Sequence, residues 1–231
     1  MISETAKPLT IAVLGGTGQE GGGLALRLAK AGHRVILGSR SPDRAAERAA
    51  EMNARLGVTR VSGAGNKAAA EVAELVLLTV PYGAQRATVE EVREGLVGKI
   101  LIDATAPLVP PKVARVQLPD GGSATAAIQA LLGDAVRVVS AFQNISASHL
   151  DDLDHDIDCE VLVCGDDPAA RGTVVALAAD IGLTAWHAGP IANSAAAEAL
   201  TSVMIFMNRH YKSQGSGIRV TGLPRPKATE T

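Results

Sequence analysis

The sequence predicts an α/β fold, a doubly wound parallel sheet followed by a small helical C-terminal segment. Short apolar runs recur along the chain, bounded by glycine or proline as buried parallel strands are. Stretches of helical periodicity stand between them. A glycine cluster joins the first such run to the first such stretch. Strands alternating with helices imply a parallel sheet covered on both faces, and right-handed crossovers make it doubly wound.

The elements follow in order. Leu9–Leu14 reads as the first strand, and Gly21–Ala31 as a helix with Leu24, Leu28 and Ala31 on one face, ended by Gly32. Arg34–Leu37 is the second strand. Pro42 suits the first turn of a helix carrying Arg44 to Arg55. Val58–Val61 is a third strand, Asn66–Ala73 a helix, and Leu75–Val80 ("LVLLTV") a fourth strand stopped by Pro81. Gln85–Gly95 is a helix and Lys99–Asp103 a strand. The "ATAPLVPP" run that follows cannot continue a ladder. Ser123–Leu132 is a helix, and Arg137–Ala141 and Glu160–Cys164 are strands. A helix runs from Pro168 to Ile181, and Thr184–Trp186 is a last short strand. Asn193 or Ser194 caps a final helix over Ala195–Tyr211. The tail "GLPRPKATET" is polar and proline-bearing and is expected to be mobile.

A chain of 231 residues can bury a substantial core. Hydrophobic residues make up 47 % but aromatics only 2 %, so Ala, Val, Leu and Ile must build that core. A net charge of -2 offers no basic field for nucleic acid. No apolar stretch reaches the roughly 20 residues that span a bilayer. "MISETAKPLT" has no signal-peptide core, and the expected location is the cytoplasm. Cys159 and Cys164 form no Cys-x-x-Cys motif and read as packing residues on one strand and its end.

Gly16-Thr17-Gly18-Gln19-Glu20-Gly21 fits G-x-G-x-x-G between a strand and a helix, the context that a dinucleotide fingerprint requires. The first glycine permits the tight turn. The second lets the backbone approach a pyrophosphate, and the third lets the helix pack close to the sheet. The helix N-terminus offers free N–H groups and partial positive charge to phosphates. The second strand ends in Gly38-Ser39-Arg40, where an NAD-binding domain of the Rossmann type would carry an acidic residue for the ribose hydroxyl. Ser39, Arg40 and, one helical turn on, Arg44 suit the extra phosphate of NADP(H) instead. Val80 and Pro81, at the carboxyl end of the fourth strand, should flank the nicotinamide ribose, and the "ATAPLVPP" loop should line the same cleft.

The ordered series "LGGTGQEGGGLALRLAKAGHRVILGSR", "TVPYGA", "APLVP", "VVSAFQNISA", "VLVCGDD" and "AGPIANSAAAEALT" resembles the NADPH-dependent reductases of coenzyme F420 from Leu9 to Val220. The resemblance implies hydride transfer between NADP(H) and the deazaflavin. It implies an NADP-binding domain over residues 1–190, with a C-terminal segment, 191–231, completing the deazaflavin cleft, and it favours a homodimer. By the same resemblance Thr17, Gly18, Gln19, Glu20, Ser39, Arg40 and Arg44 match NADP contacts. Val80, Ala84, Val109 and Ala147 match the nicotinamide and deazaflavin end, and Ser216 matches a position near the deazaflavin. Archaeal members carry a Trp and a His in the loop that here reads Tyr82-Gly83-Ala84, and a His at Gln143.

No activated nucleophile is marked, and no side chain is assigned a catalytic role. "HLDDLDHDIDCE" reads as a solvated acidic loop rather than a metal site, and no metal is expected. His33 reads as structural, while Trp186 and His187 fit packing or a cleft edge. The apolar final helix fits either core or a dimer interface. Two other readings stay open: an NADP-dependent reductase of the same fold acting on a flavin, imine or small carbonyl, and an NADP(H)-sensing protein without turnover.

Overall fold

The computed structural model describes residues 7–224. Eight strands form one sheet in the order β3-β2-β1-β4-β5-β6-β7-β8. They are β1 (Thr10–Leu14), β2 (Arg34–Ser39), β3 (Val61–Gly65), β4 (Leu75–Leu78), β5 (Ile100–Asp103), β6 (Arg137–Ser140), β7 (Val161–Gly165) and β8 (Ala185–Gly189). The helices are α1 (Gln19–Lys30), α2 (Pro42–Leu56), α3 (Asn66–Val72), α4 (Tyr82–Leu96), α5 (Ala124–Leu132), α6 (Ala147–Asp151), α7 (Pro168–Asp180) and α8 (Ser194–Tyr211).

The first six strands pair in parallel. The expected all-parallel sheet needs one correction: β7 runs antiparallel to β6, and β8 is parallel to β7. The reversal follows from the connection. A parallel return needs a crossover that brings the chain back to the starting end of the sheet. After β6 the chain instead runs through α6 against α1 and re-enters the sheet from the far end. Arg27 on α1 holds this excursion by donating to the carbonyls of His149, Leu150, Asp152 and His155 at 2.6–3.1 Å. The stretch read as an acidic loop thus begins as a short helix.

Residues alternate along each strand between two apolar layers. Ile11 and Val13 face a core with Leu24, Leu28 and Met52, and Ala12 and Leu14 face one with Val76, Leu78 and Val89. The third strand begins at Val61, where Val58–Val61 was expected to end, because "VSGAG" has weak strand propensity. Glycine is required there for another reason: a Cβ on Gly63 would meet the backbone of Ala45 and Ala46 on α2.

Ser123 and Asp167 cap α5 and α7 by accepting from Ala126 N (2.9 Å) and Ala170 N (2.8 Å). The cap expected for the last helix is different. Asn193 occupies the N-cap position of α8, but its amide donates to the carbonyl of Ala188, while Ser194 donates to Ile191. Beyond α8 the chain returns to the sheet, where Glu160 N donates to Ile218 O and Val220 N to Glu160 Oε2. Only Gly222–Pro224 of the tail are described, and the rest of it lies outside the described residues.

Candidate functional site

The order β2-β1-β4 places the reversal of winding between β1 and β4, and ligands on such sheets bind outside the strands' carboxyl ends. A cleft of about 1180 Å³ opens there, larger than the usual single-ligand pocket.

The glycine loop forms its floor. Gly15 turns with φ +86°, and a Cβ there would meet Thr79 on the neighbouring segment. Gly21 lets α1 approach the end of β4, because a Cβ would strike Thr79 Oγ1 and the carbonyl of Gly15. Gly18 stands at the N-cap of α1 and supplies no side-chain cap. The first-turn N–H groups of Gln19 and Glu20 therefore have no intrahelical partner, and both residues line the cleft, an arrangement that attracts an anion.

At the β2 end the cleft is lined by Ser39, Arg40 and Arg44. Ser39 Oγ accepts from Ser41 N at 3.1 Å, which fixes the turn into α2. Among the described residues neither Arg40 nor Arg44 has an ion-pair or side-chain hydrogen-bond partner, so both guanidinium groups are free for phosphate oxygens.

At the β4 and β5 end, Val80, Pro81, Tyr82 and Ala84 form one wall, and Leu108, Pro110 and Val113 form another. Beneath these apolar residues lies a polar network. Asp103, at the carboxyl end of β5, is fully buried and accepts from Gln85 Nε2 (2.5 Å) and Thr105 N (2.9 Å). The Gln143 side chain donates to Asp103 O (2.9 Å) and Ser140 Oγ (2.7 Å), and its backbone carbonyl accepts from Thr201 Oγ1 of α8 at 2.9 Å. Burial raises the Asp103 carboxyl to about 6 although its hydrogen bonds favour the ion. Glu20, in the first turn of α1, lines the same cleft and feels the Asp103 charge. Its Oε1 is enclosed without a partner, and burial, with Asp103 opposing it, pushes its carboxyl up to about 8.

One support stands outside the cleft. Glu198 of α8 is buried and accepts from Ser123 Oγ (2.8 Å), Ala124 N (2.8 Å) and Thr125 N (3.0 Å), tying α8 to the start of α5.

Of the residues expected at the site, the structure brings Thr17, Gly18, Gln19, Glu20, Ser39, Arg40, Arg44, Val80, Pro81 and Ala84 to one cleft. Gly16 and Gly21 act from beneath, as close-approach positions. Val109 sits in the lining loop between Leu108 and Pro110 but faces outward, 42 % exposed. Ala147 and Ser216 do not line the cleft. Ala147 starts α6, and Ser216 is bound through its N–H and hydroxyl to Asn208 Oδ1.

Asp103, Gln85, Thr79 and Thr201 were not anticipated. A charged residue closing the apolar run "KILID", at the end of the sheet that faces ligands, was the available signal for Asp103. Burial pushes the Cys164 thiol up to about 11 and raises that of Cys159 as well, so neither is a thiolate nucleophile near neutrality. The rings of His149 and His155 lie 4.0 Å apart, tilted by 37°, and no three potential ligands gather at metal-binding spacing among the described residues.

Known proteins resemble this chain in sequence and in fold. The family model described as "NADP oxidoreductase coenzyme F420-dependent" matches residues 10–107. An F420-dependent NADP reductase of Methanocaldococcus jannaschii is 40 % identical over 223 residues, covering 93 % of this chain and 99 % of that protein. One from Methanothermobacter marburgensis is 42 % identical over 224 residues, covering 94 % of this chain and all of that protein (100 %). A crystal structure from Arthrobacter sp. FB24, of a protein proposed to be an F420-dependent NADP-reductase, superimposes with a TM-score of 0.78 at 28 % identity, covering 92 % of this chain and 99 % of that one.

Proposed function

The chain belongs to the family of F420-dependent NADP reductases, and from that premise we propose how its cleft divides the work. It is an oxidoreductase that transfers a hydride between NADP(H) and coenzyme F420. The two coenzymes supply the hydride chemistry when bound, and the protein supplies position, charge and shelter from water.

The observation that carries the division is the pair of unpartnered guanidinium groups at the β2 end, on the same cleft as the open N-terminus of α1. Arg40, Arg44 and Ser39 hold the 2′-phosphate. The N–H groups of Gln19 and Glu20, with Thr17 and Gly18 beside them, hold the pyrophosphate. Val80, Pro81 and Ala84 bound the ring end from α4's side, with Leu108 and Pro110 opposite and Val109 at the rim. Ala147 and Ser216 are assigned no contact within a single chain. Within the described residues, 7–190 form the dinucleotide-binding unit, and the segment from 191 onward closes the ring end through Thr201. No side chain is assigned an acid–base role in the hydride step, because the two coenzymes supply that chemistry.

Homodimer formation is the second part of the reading. Val203, Phe206, Met207 and Tyr211 share one exposed face of α8, with Phe206 57 % and Tyr211 70 % exposed. A cytoplasmic location fits the two free, buried thiols, which suit a reducing compartment.

The test mixes the protein with F420 and either NADPH or NADH and follows the loss of deazaflavin absorbance. Fast bleaching with NADPH and a rate lower by about tenfold or more with NADH is expected from a charge-assisted phosphate contact. Equal rates would remove Arg40 and Arg44 from the phosphate site.

A further inference from the structure

Resting on this reading of the cleft, we infer that Glu20 is a charge-responsive group for the nicotinamide. Its carboxyl keeps a proton beside the neutral, reduced ring and releases that proton to water beside the cationic, oxidised ring. In that step the carboxyl O–H bond breaks, the electron pair stays on the carboxylate, and the proton leaves to solvent. No other reactant is needed.

Position comes first. The strands run β2, β1, β4, β5 across the cleft, so Arg40 and Asp103 stand about 14 Å apart in strand spacings. Glu20 starts from the phosphate-binding turn, and its carboxyl feels the charge of Asp103, at the opposite end of that row from Arg40, which points to the ring side of the pyrophosphate. Its Oε1 is enclosed and has no hydrogen-bond partner, although the residue lines the cleft. A buried polar atom in that state needs a ligand or a proton.

Asp103 cannot meet the need while ionised. Both its oxygens accept, from Gln85 and Thr105, and a second carboxylate beside it is a like charge. Behind Asp103, Glu198 of α8 adds a further like charge. The other charged or titratable groups on the cleft are Arg40 and Arg44 at the β2 end and Tyr82 and Glu91 on α4. Glu91 is already engaged by Asn66 Nδ2 at 3.2 Å. Glu20 is therefore held protonated to about 8 in the free protein, chiefly by burial and then by Asp103. The pyrophosphate is common to both complexes, whereas a cationic ring within ~4–6 Å lowers a carboxyl by about 1–3 units, so Glu20 ionises more readily beside the oxidised ring than beside the reduced one. Oxidised and reduced nucleotide thus bind with different proton counts, and their relative affinity shifts with pH.

The experiment is calorimetric titration of the whole protein with NADP+ and with NADPH near pH 7.5, in phosphate and in Tris, which gives the protons exchanged on binding. NADP+ should release about half a proton more than NADPH. Glu20→Gln should bind both nucleotides and lose the difference. Asp103→Asn should keep it and move the pH of greatest release downward, since one like charge is gone. Equal proton counts in the parent protein overturn the inference while leaving the cleft reading intact. A difference that survives Glu20→Gln and vanishes in Asp103→Asn assigns the proton elsewhere and also overturns it. If neither nucleotide binds, the cleft reading falls and the inference with it.

Discussion

At the β2 end of the cleft every functional group comes from one run of chain, Gly15 to Arg44. At the β5 end the groups come from Glu20, from Thr79–Ala84, from Asp103–Pro110, from Gln143 and from Thr201. The first end works through backbone N–H groups and unpaired guanidinium groups that need little support. The second works through buried carboxyl and amide side chains whose partners lie 18 and 40 residues away (Gln85–Asp103, Gln143–Asp103). A phosphate site can be written locally, whereas a ring site sheltered from water has to be assembled by the whole fold.

The largest effect should come from the local end. Gly18→Val places a branched side chain where the pyrophosphate backbone contact lies, and Gly18 is exposed, so the fold should survive. Binding of both NADPH and NADH should fall by more than about a hundredfold, a loss of roughly 3 kcal/mol. An unchanged NADPH titration would break the comparison at its first term.

Next in size is Glu198→Ala, which strips the acceptor from Ser123 Oγ, Ala124 N and Thr125 N and loosens α8. Unpaired buried donors cost about 1–3 kcal/mol each, less what water recovers. The expected fall in Tm is several degrees or more, with F420 turnover impaired and the NADPH-to-NADH preference kept. A change in that preference would show that the two ends are not separable.

Arg40→Ala should weaken NADPH by about ten- to a hundredfold, worth roughly 1.5–3 kcal/mol, and leave NADH nearly unchanged. Equal losses for both would take the 2′-phosphate away from Arg40.

The smallest effect on cofactor choice goes with a change in stability against pH. The folded protein keeps Glu20 protonated to about 8, whereas the ordinary carboxyl value is 4.5. Folded chain therefore binds a proton that unfolded chain has lost, and this group's contribution to stability declines as pH rises through that interval. Glu20→Gln stays neutral throughout, so its Tm relative to the parent should climb by up to roughly ten degrees between about pH 5 and 8. A Tm difference that is flat with pH would show that Glu20 ionises normally.

The same contrast explains what could be read before the structure. The glycine loop, the Ser39-Arg40 ending and Arg44 are adjacent in sequence, and their meaning depends only on a strand–turn–helix context, which was legible. The apolar runs marked seven strands correctly in place or nearly so, and the third escaped because Gly63 and Gly65 carry no strand signal. The antiparallel seventh strand was not legible. Strand direction there is set by the packing of α6 on α1, which leaves no periodicity in residues 141–160. Asp103 and Glu198 were hidden for a related reason, since a buried carboxylate within an apolar run takes its role from partners distant in sequence.

Arg27 carries a consequence in time. Its four carbonyl acceptors lie 122–128 residues further along the chain. At about 5–20 residues per second the ribosome needs roughly 6–25 s to make that stretch. Through that interval α1 can already lie on β1 and β2 while its outer flank waits for α6. The first four strands of the sheet therefore have time to form as a unit before the direction of the sheet is reversed, and the slow, long-range closure waits for the α6 segment, which Arg27, Lys30 and Arg55 then hold by its carbonyls.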